Sequence, residues 1–187
     1  MNPIILNHFG RRTAFIQMLA ERGVKLGVEI GTDHGQYAEQ LCKGIPGLRL
    51  HCIDPWTPYI EGDQIHDQNN MDEIYNEAKR RLSFYNCNIW KETSMEAVRR
   101  ITDNSLDFIF IDGNHEYKYV LEDITEWTKK VKPGGIVAGH DYKVDTVNNY
   151  GVIEAVQKYT KDNHIAPWFI LRAGGKLVDC FMFFKQL

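Results

Sequence analysis

From about residue 24 onward the chain alternates short apolar runs with segments of helical spacing, and this alternation limits the fold more than any other feature. "KLGVEIG" (25–31) is an apolar run stopped by Gly31, and "GQYAEQLCKGI" (35–45) follows at helical spacing. "LRLHCID" (48–54) alternates like a strand and ends at Asp54-Pro55. "MDEIYNEAKRRLSF" (71–84) then places Ile74, Ala78 and Leu82 on one helical face. "CNIW" is a brief third strand, "SMEAVRRI" (94–101) a helix, and "SLDFIFID" (105–112) the strongest strand of the chain.

Beyond it, "YKYVLEDITEWTKKV" (117–131) carries Tyr117, Val120, Leu121, Ile124, Trp127 and Val131 at spacings of three and four, the mark of a core-facing stripe. Pro133-Gly134-Gly135 stops that helix. "GIVAGHD" (135–141) is a fifth strand and "GVIEAVQKYT" (151–160) a further helix. "PWFILRA" and "VDCFMFFK" flank Gly174-Gly175 as a closing hairpin.

Continuous apolar strands separated by amphipathic helices predict a mainly parallel sheet covered on both faces. The short glycine link makes the last two strands antiparallel to each other. The expected fold is therefore α/β, a doubly wound open sheet with one reversed strand near its edge. A chain of 187 residues suits one such domain over 1–187. Residues 1–23 are expected to form an N-terminal helical extension, and the polar, helix-poor "TPYIEGDQIHDQNN" (57–70) a flap above the site.

Charge narrows the partners. The 22 basic and 25 acidic residues leave a net charge of −3, with no sign of a nucleic-acid-binding face. Lys79-Arg80-Arg81, Arg99-Arg100 and Lys129-Lys130 read as solvated helix faces. Cys42, Cys52, Cys87 and Cys180 lack metal or disulfide spacing and read as thiols of a reducing compartment. No apolar run reaches the ~20 residues that span a bilayer, and the N-terminus is a poor signal peptide. A cytoplasmic protein with no membrane partner is expected.

Ligands of open α/β sheets bind outside the carboxyl ends of the strands. Those ends hold Glu29, Gly31, Thr32, Asp33, His34 and Gly35; Asp54 and Trp56; Glu92, Thr93 and Ser94; Asp112 to Glu116; and His140 and Asp141. Every strand end carries an acid or an acid–hydroxyl group. Asp54 at the second strand end is placed to accept both hydroxyls of an adenosine ribose, in a dinucleotide or another adenosyl ligand. Asp33 sets a negative charge in the first turn, where a pyrophosphate would otherwise sit. A sulfonium and an ammonium are better tolerated there.

Together "VEIGTDHGQYAEQL", "LHCIDPW", "SLDFIFIDGNHEYKYVLEDITEW" and "VKPGGIVAGHDY" resemble class I S-adenosylmethionine-dependent methyltransferases. More narrowly they resemble small-molecule methyltransferases with D-G-x-H-x-Y and H-D-Y motifs, relatives of the macrolide-sugar O-methyltransferases. The resemblance covers roughly residues 11–184 and implies a seven-stranded sheet of order 3-2-1-4-5-7-6. It implies cofactor binding by Glu29, Gly31, Thr32, Asp33 and Gly35 in the first turn. Asp54 would hold the ribose, Trp56 cover the adenine, Thr93 and Ser94 border it, and Asp112 lie near the methyl group. Asp33 departs from the family pattern, standing where a middle glycine is usual.

Asp112, His115, His140 and Asp141 leave adjacent strands. Two carboxylates with imidazoles suit Mg²⁺ or another divalent cation, here on Asp112, His140 and Asp141. Asp112, His115 and His140 equally suit metal-free acid–base catalysis, and structural hydrogen bonding is the plainest alternative. The expected activity is methyl transfer from S-adenosylmethionine to a hydroxyl of a small-molecule acceptor such as a sugar or polyol, in a chain that forms a homodimer. The rivals are an NAD-dependent oxidoreductase and a non-catalytic adenosyl-binding module. Tyr59 or Tyr142 are further candidates for substrate contact, while His8, His51 and His164 show no convergent partners.

Overall fold

The computed structural model describes residues 2–7, 12–61, 64–144, 150–173 and 178–186. Strands β1 (Ile4–Asn7), β2 (Leu26–Ile30), β3 (Arg49–Asp54), β6 (Cys87–Lys91), β7 (Leu106–Ile111), β8 (Val131–Gly139), β9 (Trp168–Arg172) and β10 (Cys180–Phe184) form one sheet. Its order is β1-β9-β10-β8-β7-β2-β3-β6. Leaving out β1, this is the expected order 3-2-1-4-5-7-6. Strand β10 runs antiparallel to both β8 and β9, and the remaining pairs are parallel. The Gly174-Gly175 turn expected between β9 and β10 lies outside the described residues.

Helices α1 (Arg12–Glu21), α2 (Gln36–Gly44), α3 (Gln68–Leu82), α4 (Ser94–Ala97), α5 (Tyr117–Lys130) and α6 (Val152–Asp162) cover the sheet. The period of two along each strand separates two cores. Phe108 and Phe110 of β7 join Phe15, Leu19, Leu41 and Leu50 on one face. Ile109 and Ile111 join Val28, Ile30, Ile124, Trp127 and Val156 on the other. A strand sandwiched in this way has no solvated side, which is why "LDFIFI" reads as an unbroken apolar run.

Four differences from the sequence expectation have physical reasons. The 1–23 segment divides into β1 and α1, because β9 would otherwise end the sheet with an unpaired edge. Strand β8 starts at Val131, directly after α5 and before the Pro-Gly-Gly stretch. Segment 94–101 closes as α4 followed by a single 3₁₀ turn over Val98–Arg100, so it is shorter than its pattern. Within 57–70, strands β4 (Tyr59–Glu61) and β5 (Gln64–His66) pair as a small antiparallel ribbon, and α3 begins at Gln68.

The α5 stripe also stops short of Tyr117. Val120, Ile124 and Trp127 are buried, but Tyr117 is 40% exposed. It opens the helix at the rim of the strand-end edge, where the core has ended.

Candidate functional site

The five parallel strands β3, β2, β7, β8 and β6 deliver their carboxyl ends to one edge, and the turn between β2 and α2 occupies its centre. Gly31 has φ +84°, and a Cβ added there would lie 2.0 Å from the carbonyl oxygen of Asp112. The Asp112 N–H in turn donates to the Ile30 carbonyl at 2.8 Å. Glycine at 31 is thus demanded by the backbone of β7. The same contact makes the first turn and the Asp112 loop two walls of one site.

Asp33 adopts φ +49° and Trp56 φ +42°, both in the left-handed region that non-glycine residues rarely enter. Asp is among the residues that tolerate it, so Asp33 can hold a left-handed position in this turn without glycine. Asp54 holds both residues. Its Oδ2 accepts the Asp33 N–H at 3.0 Å and its Oδ1 the Trp56 N–H at 2.8 Å. Burial pushes the Asp54 carboxyl above the usual carboxylate range, against these two bonds. A carboxylate has about four acceptor sites, so room for hydroxyl donors remains.

Trp56 is 1% exposed and packs among Met71, Ile74 and Ala78, with Tyr75 tilted against its ring at 4.7 Å. Its Nε1 donates to the Asp33 carbonyl at 3.1 Å. In this arrangement the indole lies in a satellite core and braces the turn. Glu29 is buried in mid-strand on the same face as Gly31, and Thr32 is buried beside it.

At the end of β6, Thr93 caps α4 reciprocally with Glu96. The Ser94 hydroxyl donates to Asp123 of α5 and accepts from Trp127 Nε1 at 2.7 Å. Burial pushes the Asp123 carboxyl up to about 7, against the Ser94 bond. This sub-network is internal packing, with its hydroxyls already engaged.

Asp112, His115, His140 and Asp141 do converge. His115 Nε2 lies 3.1 Å from Asp141 Oδ2 and 3.8 Å from Asp112 Oδ1. His140 Nδ1 lies 2.9 Å from the same Asp141 oxygen and 3.5 Å from Asp112 Oδ1. Burial would lower both imidazoles, but the two carboxylates outweigh it and push each up to about 9. Asp141 has φ +53° and is largely buried; desolvation works against its charge, yet the two imidazoles hold its carboxyl far below the usual range.

The His115 Nε2 atom is buried, and its approach to Asp141 is ionic, without the alignment of a hydrogen bond. Asp112, His115 and Asp141 each offer a ligand atom, all within 4.8 Å of one another. The set expected from sequence, Asp112, His140 and Asp141, is equally close-knit, so both imidazoles border the two carboxylates. His115 completes the triad, and His140 stands beside it, bonded to Asp141. Two carboxylates and one imidazole, with a buried nitrogen lacking an aligned partner, fit a divalent cation.

Four neighbours escaped the sequence reading. Tyr150 stacks on the His115 ring at 4.4 Å, and Lys143 Nζ lies 3.5 Å from Asp141 Oδ1 and 4.6 Å from the Tyr150 ring centre. Arg81 and Glu77 of α3 reach the His34 carbonyl and ring. Their i, i+4 spacing was a visible signal of mutual pairing, but nothing in it points to His34.

Further side chains have local partners. His66 stacks on Tyr59 at 4.4 Å, and Asp67 caps α3 through the Asn70 N–H. Tyr142 meets the edge of Trp168, and the His51 ring lies tilted against Trp90 at 4.6 Å. His8 lies outside the described residues.

The methyltransferase-domain family profile matches residues 28–142, from β2 through the Asp141 loop and over more than half of the chain. The chain belongs to the methyltransferase-domain family. This methyltransferase domain is 28% identical over 138 residues to uncharacterized protein R132 of Acanthamoeba polyphaga mimivirus, covering 72% of the chain and 59% of the relative. The chain spans 13% to 59% of the length of the curated relatives it matches. Among solved structures, the O-methyltransferase from Bacillus cereus in complex with SAH superposes with TM-score 0.67 at 16% identity, covering 93% of this chain and 80% of that one. An rRNA methylase from Streptococcus thermophilus superposes with TM-score 0.66 at 13% identity, covering 95% and 98%. The methyltransferase domain thus has the class I, S-adenosylmethionine-dependent methyltransferase fold. No helix among the described residues is long and apolar enough to cross a membrane.

Proposed function

We propose that this protein transfers the methyl group of S-adenosylmethionine to a hydroxyl of a small molecule, a sugar or polyol, at a divalent-cation site formed by Asp112, His115 and Asp141. The observation that carries this reading is the contact of Gly31 with the Asp112 carbonyl. It brings the first turn and the acid–imidazole cluster against each other, which supports one cleft for methyl donor and acceptor oxygen. The acid in the turn, Asp33, suits a cationic ligand, and Asp54 faces the position of a ribose.

Displacement at a sulfonium methyl needs alignment and the removal of one proton. A divalent cation, when bound, lowers the pKa of a coordinated hydroxyl and fixes its oxygen. Asp112 and Asp141 would hold it together with His115 Nε2, whose ring is kept in place by Tyr150. His140 is the proton acceptor in this reading. With both carboxylates free to pair with it, its imidazole is held up at about 9, which favours the protonated form at neutrality. Engagement of those carboxylates elsewhere returns it to the range of a base. That coupling favours the cation-assisted route over the metal-free one.

Calorimetry with S-adenosylhomocysteine, followed by transfer of labelled methyl to a panel of sugars and polyols with Mg²⁺, Mn²⁺ or EDTA, tests the proposal. Tight cofactor binding and cation-dependent labelling of a hydroxyl are expected. Binding of NADH in place of S-adenosylhomocysteine would overturn the adenosyl reading. Undiminished labelling in EDTA would remove the cation.

A further inference from the structure

Two successive carbonyls of the first turn are held by side chains distant in sequence. The Asp33 carbonyl accepts Trp56 Nε1 at 3.1 Å, and the His34 carbonyl accepts Arg81 Nε at 3.0 Å. In a planar trans peptide the N–H points opposite to the C=O. The bond to Trp56 therefore aims the His34 N–H away from the indole, and the bond to Arg81 aims the Gly35 N–H inward, where it closes on the Thr32 carbonyl at 2.8 Å. The orientation of the turn's peptide groups is thus set from behind.

Arg81 does more than supply one bond. Its Nη2 meets Glu77 Oε1 at 2.5 Å and its Nη1 meets Glu39 Oε2 at 3.3 Å. The second Glu77 oxygen lies 2.8 Å from His34 Nδ1. One planar guanidinium thereby joins α3, the first turn of α2 and the turn that precedes α2. A lysine, with a single point charge, cannot span all three. Its sequence neighbours take no part: Lys79 lies over the Tyr75 ring and Arg80 is exposed. The run Lys79-Arg80-Arg81 is a solvated face at two positions and a brace at the third.

We propose that Arg81 is a positioning residue for the adenosyl cofactor, fixing the Asp33–His34–Gly35 turn in its binding conformation from the side opposite the ligand. This rests on the cofactor reading above. Three measurements on the full chain test it: calorimetry with S-adenosylhomocysteine, thermal unfolding without ligand, and amide hydrogen exchange, for the wild type, Arg81→Met and Arg81→Lys. Arg81→Met is expected to weaken S-adenosylhomocysteine at least about tenfold, as loss of a charge-assisted hydrogen bond implies. Exchange should quicken over residues 31–36 and stay unchanged over β7 and β8. Arg81→Lys should recover part of the affinity through the His34 carbonyl.

Wild-type affinity in Arg81→Met overturns the proposal. So does a loss of protection spread equally over β7 and β8, which marks general destabilisation. If the wild type itself binds no S-adenosylhomocysteine, the cofactor reading falls. Exchange over 31–36 then decides alone whether Arg81 holds the turn, and unchanged exchange in Arg81→Met sinks it. Should Arg81→Met not fold, Arg81→Lys against Glu77→Gln makes the same comparison, with the larger loss of affinity expected in Arg81→Lys. Equal affinities in that pair count against the proposal.

Discussion

Asp54 at the end of β3 accepts the backbone N–H of Asp33 at 3.0 Å, across the gap to the turn that follows β2. Its other oxygen accepts the Trp56 N–H, so one carboxylate restrains both left-handed residues at the ends of β2 and β3. Left-handed backbone at a non-glycine residue costs of order 1–3 kcal/mol and persists where the surroundings over-determine it. Asp54 supplies that determination on both sides of the site. Asp54→Asn replaces one acceptor oxygen with an amide donor that faces a backbone N–H. A destabilisation of about 1–3 kcal/mol is expected. In a chain of this size it lowers the thermal midpoint by roughly 2–4 °C per kcal/mol, read by calorimetric or circular-dichroism melting. A midpoint unchanged in Asp54→Asn would show that the two N–H bonds contribute nothing to the fold.

The buried Asp123 makes stability depend on pH. Burial raises its carboxyl from 3.8 to about 7 in the folded protein. Between those values the unfolded chain has already released the proton while the folded protein still keeps it. The unfolded state therefore binds fewer protons, and stability falls as pH rises through that window. Asp123→Asn keeps a partner for Ser94 and removes the titration. Urea midpoints from pH 4 to pH 7.5 should show a descending component in the wild type that is absent from the variant. Parallel profiles would refute the assignment.

Much of this was visible before any coordinates. Strands such as β7 are legible because burial on both faces leaves an unbroken apolar run. The acids at strand ends stand out because they interrupt those runs. What stayed hidden depends on partners distant in sequence. Strand β1 is four residues long and acquires its role only from the open edge of β9. Cys42 and Cys87 lie 45 positions apart, yet the topology sets their sulfurs 3.4 Å from each other. Trp56 reads as a cover for the adenine from its place after Asp54, whereas its ring is buried against Met71, Ile74 and Ala78 of α3. Arg81 looks like any basic residue in a charge run, since a carbonyl acceptor leaves no trace in sequence.

The cation triad and its outer partner should separate under mutation. His115→Ala removes a proposed ligand, whereas His140→Phe removes the ring that bonds Asp141. Loss of a hydrogen-bonded outer partner weakens metal sites by about 10–100-fold. Mn²⁺ affinity followed by electron paramagnetic resonance should fall within that range for His140→Phe and further for His115→Ala. On the proposed reading, in which His140 is the proton acceptor, methyl transfer should be lost in both. Equal Mn²⁺ affinity in wild type and His115→Ala would dismantle the triad.

Two glycines one residue apart from the same aspartate across the β2–β7 seam make the last contrast. Gly31 has φ +84° and no room, since a methyl there would fall 2.0 Å from the Asp112 carbonyl oxygen. Relief requires β2 and β7 to part at their carboxyl ends, where Ile30 and Asp112 are hydrogen-bonded. Gly113 directly follows Asp112, and a methyl there would lie 3.5 Å from an Ile30 methyl, an ordinary contact. Gly31→Ala is expected to destabilise by more than about 3 kcal/mol, through strained backbone and a parted strand pair. Gly113→Ala should stay within about 1 kcal/mol of the wild type. Chemical denaturation of both variants, with S-adenosylhomocysteine affinity measured on whichever folds, checks the pair. A Gly31→Ala protein as stable as Gly113→Ala would mean that the two walls of the site do not touch.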